Sequence, residues 1–184
     1  PKLTARPLMI QIPVGQAEEC REVSDLVTRQ HSRWDEASLG QEDEYSESEE
    51  ADRGQAREYR IQLLETASEF GDELMGLYLA EEPIPHDERV AAIRKGTIEL
   101  NIVPVMCGTA LRNKGIQPLL DAVEYYLPSP LDIPPVVGHD PKTGEEIICE
   151  PKDNAPLAAL IFKVFMLEGR KMSFARVYSG KLKE

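Results

Sequence analysis

The apolar positions of this chain change period several times along its length, and each change predicts an element. Leu8 to Val14 is an apolar run with Pro7 and Pro13 at its margins, which suits a strand where proline is tolerated at an end or edge. After Gly15 the chain turns polar, and Val23, Leu26 and Val27, then Trp34, predict one or two short, half-exposed strands. Trp34 reads as the cap of a small core rather than a binding aromatic, because large aromatics supply much of the burial in small domains. Glu42 to Asp52 is dense in carboxylates with Ser46 and Ser48 between them; such a run repels itself and predicts a solvated surface loop. From Arg53 the period becomes helical, with Ala56, Tyr59, Leu63, Ala67 and Phe70 on one side and Arg57, Glu58, Arg60 and Glu65 off it. Gly71 can end that helix. A second follows through Leu74, Met75, Tyr78 and Leu79 to the break at Pro83 and Pro85, and a third runs from near Asp87 through Val90, Ala91, Ile93 and Arg94 to Gly96.

Val103 to Cys107 is too short an apolar run for an ordinary helix and is bounded by Gly108, so it predicts a buried strand. Beyond it Ile116, Leu119, Leu120, Val123 and Leu127 fall at helical spacing, Pro118 suits a first turn, and Pro128 blocks continuation. The loop between lies outside the carboxyl end of its strand, the edge at which open α/β sheets bind ligands. Pro128, Pro130, Pro134 and Pro135 then make a stiff linker and a domain boundary. Pro141 to Gly144 is a turn between Val136-Val137 and Ile147-Ile148, a predicted hairpin, and Leu160 to Phe165 and Phe174 to Tyr178 read as strands joined through Gly169. Two strands cannot close a barrel, so their apolar faces are expected to be exposed or paired with another copy.

Charge and cysteine usage narrow the chemistry. Of the 184 residues, 33 are acidic and 21 basic, giving a net charge of -12. That disfavours a broad phosphate-binding surface and stand-alone nucleic-acid binding. Cys20, Cys107 and Cys149 form no C-x-x-C pair, and His31, His86 and His139 are scattered, so neither a disulfide framework nor a metal site is predicted. Ordinary reduced thiols point to the cytoplasm. Glu49 and Glu50 show no calcium-loop pattern and have nothing nearby to set their pKa values apart, which leaves no catalytic carboxylate pair to name. Leu157 to Leu167 is interrupted by Lys163 and too short to cross a bilayer, and the N-terminus has no signal-peptide pattern. Pro1 in place of Met and the stop after Leu182-Lys183-Glu184 read as cut ends of something longer.

The loop after Cys107 contains two near-matches to nucleotide motifs. GTALRNKG approaches the phosphate loop, but Asn113 replaces the second glycine and Gly115 the hydroxyl that would hold magnesium. Asn113-Lys114 begins like N-K-x-D, yet Ile116 stands where the carboxylate for guanine N1 and N2 is needed. Both read as accidental.

Taken in order, LMIQIPVG, ELMGLYLAEE, RKGTIELNIVPVMCGTALRNKGIQPLLDAVEYYLPSPLDIPP, LAALIFKV and FARVYSGKL resemble bacterial elongation factor G over nearly the whole chain. The resemblance implies an α/β fold: the end of a P-loop-type GTPase domain with a small α/β insert, followed by a truncated all-β, barrel-type segment. Residues 1–101 match the G-prime insert, 102–133 the last strand, base-contacting loop and last helix of the GTPase domain, and 134–184 the linker and first strands of domain II. Cys107, Gly108, Thr109 and Ala110 match the fifth guanine-nucleotide motif, with Thr109 in place of the usual serine. Gly108, Thr109, Ala110 and Leu111 are the implied nucleotide-contacting residues, and the Ala110 amide would donate to guanine O6.

The same resemblance implies a parent that hydrolyses GTP, binds GTP or GDP with magnesium, and drives translocation on the ribosome. The phosphate loop, switches and N-K-x-D would precede this chain, so the piece alone is expected to be inactive, with no cofactor, catalytic residue or metal of its own. The Arg53 to Phe70 helix matches the element that meets the large-subunit stalk protein. Between the first two strands of domain II this chain has Phe165-Met166-Leu167-Glu168-Gly169-Arg170 where the family usually has TDPFVG, a departure that leaves a divergent paralogue open. Another ribosome-associated GTPase, such as a peptide-release GTPase or a tetracycline-resistance ribosomal protection protein, shares the architecture. A protein-interaction module without a nucleotide role is the reading from a different class.

Overall fold

The structure, a computed structural model, describes residues 6–14, 22–34, 43–47, 54–140 and 142–183, and of Asp43–Glu47 the backbone alone. It is a mixed α/β chain of two compact units, Pro1–Leu127 and Pro128–Glu184.

In the first unit the apolar run from Leu8 to Val14 is not one strand but two, β1 (Arg6–Met9) and β2 (Gln11–Val14), in different sheets. β1 pairs in parallel with β6 (Ile102–Val105), whereas β2 pairs antiparallel with β3 (Glu22–Asp25). The change happens at Ile10, whose N–H donates to Val105 O at 3.0 Å while its carbonyl accepts from Leu26 N at 2.8 Å. Leu8 and Ile10 are buried and Ile12 partly so, on both sides of the change, so the apolar pattern alone cannot show it. Pro13 is accommodated because β2 is an edge of its four-stranded sheet, where a missing N–H faces no neighbouring strand.

β4 (Gln30–Trp34) continues that sheet beyond β3, and β5 (Asp43–Glu47) completes it. The carboxylate run Glu42 to Asp52 predicts a surface loop, so β5 is a correction; Glu42 and Ser48 to Asp52 lie outside the described residues. The open edge of β4 supplies backbone partners that outweigh local charge repulsion, and the register sets Arg33 opposite Glu44. Val23, Leu26, Val27 and Trp34 are buried, with Trp34 in the core-capping role its size suggests, while Leu26 and Val27 lie in the β3–β4 turn rather than in a strand.

The helices are α1 (Gln55–Ser68), α2 (Asp72–Leu79) and α3 (His86–Ile98). Arg53 lies outside the described residues, and α1 stops before Phe70. Leu63, Ala67, Leu74, Ala92 and Ile93 join Leu8, Ile10 and Ile102 in one apolar core. Outside it, Arg6 holds β1 to α1, with Nη1 donating to both Glu69 carboxylate oxygens at 2.8 Å and Nη2 to Thr66 Oγ1 at 3.2 Å. Gly71 does not end α1; it caps α2, where a Cβ would lie 3.2 Å from Ala92 Cβ. Gly96 sits inside α3 rather than at its end. Its lack of a side chain makes room for Phe70 and Ile102, whose atoms would stand 2.8 and 2.9 Å from a Cβ.

α4 (Ile116–Tyr126) ends where predicted: Leu127 is extended, as a residue before proline prefers, and Arg94 Nη1 donates to the carbonyls of Glu124 and Tyr125 at 3.2 and 2.9 Å. Only Tyr126 is buried, with Ala122 partly so, while Leu119, Leu120, Val123 and Leu127 stand exposed. The second unit contains two hairpins. In β7 (Val136–His139) and β8 (Glu146–Cys149), Asp140 Oδ1 accepts from the amides of Lys142 and Thr143 at the turn. β9 (Ala158–Leu167) and β10 (Arg170–Ser179) run longer than their apolar cores predict, because a two-residue turn through Glu168 (φ 48°) and Gly169 (φ 77°) lets the ladder continue to Leu167 opposite Arg170. Apolar side chains such as Ile161, Phe162, Val164 and Phe174 are exposed along this hairpin.

Gly96→Val should lower the unfolding free energy by about 2 kcal/mol in urea titration, since overpacking at this crossing outweighs the better helix propensity. Burial first, then the charges of Asp25 and Tyr125, push the Tyr126 phenol well above its usual range, with Arg89 acting the other way. A tyrosine of the unfolded chain ionises near about pH 10 while Tyr126 in the fold keeps its proton. Its contribution is therefore complete below about pH 10 and falls above it. Tyr126→Phe should flatten the alkaline decline measured by denaturant titration between about pH 9 and 11.

Candidate functional site

Where β6 stops, Cys107 is half buried and Gly108 to Asn113 emerge into solvent. Ala110–Arg112 form one turn of 3₁₀ helix, in which Arg112 N donates to Thr109 O and Asn113 N to Ala110 O at 3.1 and 3.2 Å. These bonds use the amides of Arg112 and Asn113 and leave those of Ala110 and Leu111 out of the turn's own pairing, as at any helix start. Gly108, Thr109, Ala110 and Leu111 are thus brought together on one exposed turn beyond the carboxyl end of a parallel strand. Leu111 is 96% exposed.

The neck of this loop is a backbone contact. Thr109 and Lys114 exchange two hydrogen bonds, N–H to O at 2.8 and 3.1 Å, as an isolated antiparallel bridge. Behind them Gly108 and Gly115 meet so closely that a Cβ on Gly108 would lie 2.8 Å from Lys114 O and one on Gly115 2.9 Å from Cys107 O. Gly115 also has φ +79°, a conformation that L residues with side chains rarely adopt, and it forms the N-cap of α4. In sequence Gly115 is notable only for the hydroxyl it lacks; its structural role in the neck carries no signal in the pattern. Lys114 is 8% exposed and its backbone belongs to the neck, so it does not extend from the loop as a phosphate-loop lysine would.

The outer face of α1 presents Arg57, Glu58, Ile61, Gln62 and Glu65 to solvent. Arg60, expected to lie off the buried side, turns inward: it is half buried, and its Nη1 donates to Leu26 O in the turn between β3 and β4. That turn is organised by Asp25, whose Oδ1 accepts from the amides of Val27 and Thr28 at 2.9 and 2.8 Å. Nearby, a cleft of about 340 Å³ is lined by Asp25, Thr28, His86, Asp121 and Tyr125, among others. Among the described residues no group of three or more His, Cys, Asp and Glu is placed to hold a metal, and no helix is long and apolar enough to cross a membrane.

No family model matches the chain. Among curated proteins it is 45% identical over 177 residues to elongation factor G 2 of Syntrophus aciditrophicus (strain SB), covering 96% of this chain and 26% of that protein. It is 47% identical over 183 residues to elongation factor G 2 of Geobacter metallireducens (strain ATCC 53774 / DSM 7210 / GS-15), covering 99% and 26%. The chain therefore spans about a quarter of the length of these relatives. A crystal structure from Thermus thermophilus superposes with a TM-score of 0.67 at 24% identity, over 96% of this chain and 24% of that one, which is a likeness of fold.

Gly115→Ala should cost roughly 1–2 kcal/mol of stability from the left-handed backbone alone, with the close carbonyl adding to it. Amide hydrogen exchange at Thr109 and Lys114 should accelerate well beyond the global change, marking the neck as the part that opens.

Proposed function

Because the chain belongs, as a segment, to the elongation factor G family, we propose that it works within a GTP-hydrolysing translation factor that drives movement of tRNA and mRNA through the ribosome. The observation that carries this reading is the exposed, neck-locked turn at Gly108–Leu111, standing beyond β6 in a chain 45–47% identical to such factors over 96–99% of its length.

In this reading residues 102–133 close the GTPase domain, 1–101 form its α/β insert, and 134–184 are the linker and opening strands of a β-barrel domain. The loop reads the base of GTP or GDP: the Ala110 amide donates to guanine O6, and the glycine neck lets backbone rather than side chain approach the ring. The phosphates, their magnesium ion and hydrolysis belong to parts of the factor other than this loop, so no residue of this chain is assigned a catalytic or metal-binding role. The exposed Leu119, Leu120 and Val123 on α4, with Leu127 just past its end, are a surface for other parts of the same factor, and the uncovered hairpin β9–β10 awaits the remaining strands of its barrel. α1 is the element offered to the large-subunit stalk protein, with the mixed charges of Arg57, Glu58 and Glu65 around Ile61 as the contact. The working compartment is the cytoplasm. The name elongation factor G 2 on both relatives favours this over a peptide-release or ribosomal protection GTPase.

Two measurements test the proposal. Labelled GTP and GDP should show no saturable micromolar binding to the 184-residue chain; tight, magnesium-dependent binding would place a complete nucleotide site here and overturn the division of labour. Titration with the stalk protein's C-terminal domain should shift backbone NMR signals of α1, whereas a response confined to β9 and β10 would remove the stalk assignment.

A further inference from the structure

The four-stranded sheet turns polar side chains into the cleft of about 340 Å³, and nothing in the proposed function uses them. Gln11 on β2 and Asp25 on β3 are cross-strand partners, so their side chains share one face of the sheet, and Gln30 and Ser32, two residues apart on β4, share a face in turn. All four line the cleft. The opposite wall is α4, which contributes Pro118, Asp121, Ala122 and Tyr125 at the i, i+3, i+4, i+7 spacing of one helix face. Ile10 and Val27, both buried, and Met106, the residue after β6, supply the apolar part of the lining.

The unmet hydrogen bonding of the cleft is on the acceptor side. Gln11 is 4% exposed, yet its Oε1 has no hydrogen-bond partner among the described residues, a costly state for a buried amide oxygen. Its Nε2 makes only a long bond, 3.4 Å, to Asp25 Oδ2, which keeps room for a second donor. Asp121 adds an exposed carboxylate, and none of the described residues lining the cleft is lysine or arginine. Asp25 is not an uncompensated charge. Arg60 is anchored on the same turn through Leu26 O, and against the burial that chiefly lowers its guanidinium to about 10 the Asp25 carboxylate acts to raise it. A neutral donor therefore suits Gln11 and Asp25 better than a cation. Shape narrows the ligand further: His86 and Tyr125, which both line the cleft, meet edge to face with ring centroids 6.2 Å apart, giving an aromatic side to a space at the small end of the roughly 300–1,000 Å³ range of ligand sites.

We propose that the cleft between the four-stranded sheet and α4 binds a flat heteroaromatic ring bearing an amino group, such as an aminopurine or aminopyrimidine base. The amino N–H groups donate to Gln11 Oε1 and Asp25 Oδ2, and the ring packs against Tyr125. A ring with a carbonyl in place of the amino group would set acceptor against acceptor and leave Gln11 unpaired. The site is separate from the Gly108–Leu111 loop, whose proposed contact is a backbone donor, so the two prefer opposite groups on a base.

The test is titration of the 184-residue chain with adenosine and cytidine, and with inosine and uridine, in which a carbonyl replaces the amino group, followed by ¹H–¹⁵N NMR of backbone and glutamine side-chain amides. Saturable binding of adenosine and cytidine is expected, with shifts centred on the Gln11 side chain, Thr28, Ala122 and Tyr125. It should be about tenfold tighter than that of inosine and uridine, the difference of one hydrogen bond to a buried acceptor. Gln11→Met keeps the length of the side chain and removes its amide; affinity for adenosine should fall about tenfold while thermal stability holds or rises, because the unpaired oxygen goes with it. A Gln11 with a merely structural role would lose stability instead. Tyr125→Leu, at an exposed position, should weaken binding about tenfold through the lost stacking. Oligoadenylate giving the same shifts at lower concentration would make a nucleic-acid strand the source of the base, and adenosine alone doing so would make it a free small molecule. Equal binding of adenosine and inosine, shifts confined to Gly108–Leu111, unchanged affinity in both variants, putrescine binding more tightly than adenosine, or no saturable binding would each overturn the proposal.

Discussion

The two sheets of the first unit are joined at one residue. Ile10 gives its N–H to the end of β6 and its carbonyl to the start of the β3–β4 turn, so the parallel pair and the antiparallel sheet share a residue rather than merely touching. Its side chain is 1% exposed, which means the hand-over happens inside the core where unsatisfied backbone groups would be costly. The candidate loop and the β3–β4 turn are both positioned from there. Forward along β6, the chain leads to the loop at Gly108; across the turn at Leu26, it reaches Arg60 on α1. A core substitution that displaced Ile10 would therefore disturb the loop and the anchoring of Arg60 together, although they are built from different elements.

Much of the outline was legible in sequence because it rests on local chemistry. The 3.6-residue period of Ala56, Leu63 and Ala67 defines α1, Pro85 and Asp87 set the start of α3, and Pro128 forces Leu127 out of the helix. What was not legible depends on partners distant in sequence. The division of Leu8 to Val14 between two sheets needs Val105 and Leu26 to be known as neighbours. β5 is strand because β4 has a free edge, not because Asp43–Glu47 favours extension. Arg60 looks like a solvent residue in sequence, since its inward reach is toward a carbonyl that no helical wheel can show.

The candidate loop was partly visible in the same sense. Gly108, Thr109, Ala110 and Leu111 stand out by motif, and the structure sets them side by side on one turn. The residue that makes the turn close, Gly115, looks like a departure from a phosphate loop because sequence comparison weighs what a residue contributes. At this position the necessary property is an absent atom.

That neck has an evolutionary consequence. With the two strands of chain pinned at backbone distance, the residues between Gly108 and Gly115 form a cassette whose entry and exit are fixed independently of its contents. Side chains at the tip, such as the exposed Leu111 and Arg112, can be exchanged without touching the neck, while the direction of the backbone amides is set by the two glycines.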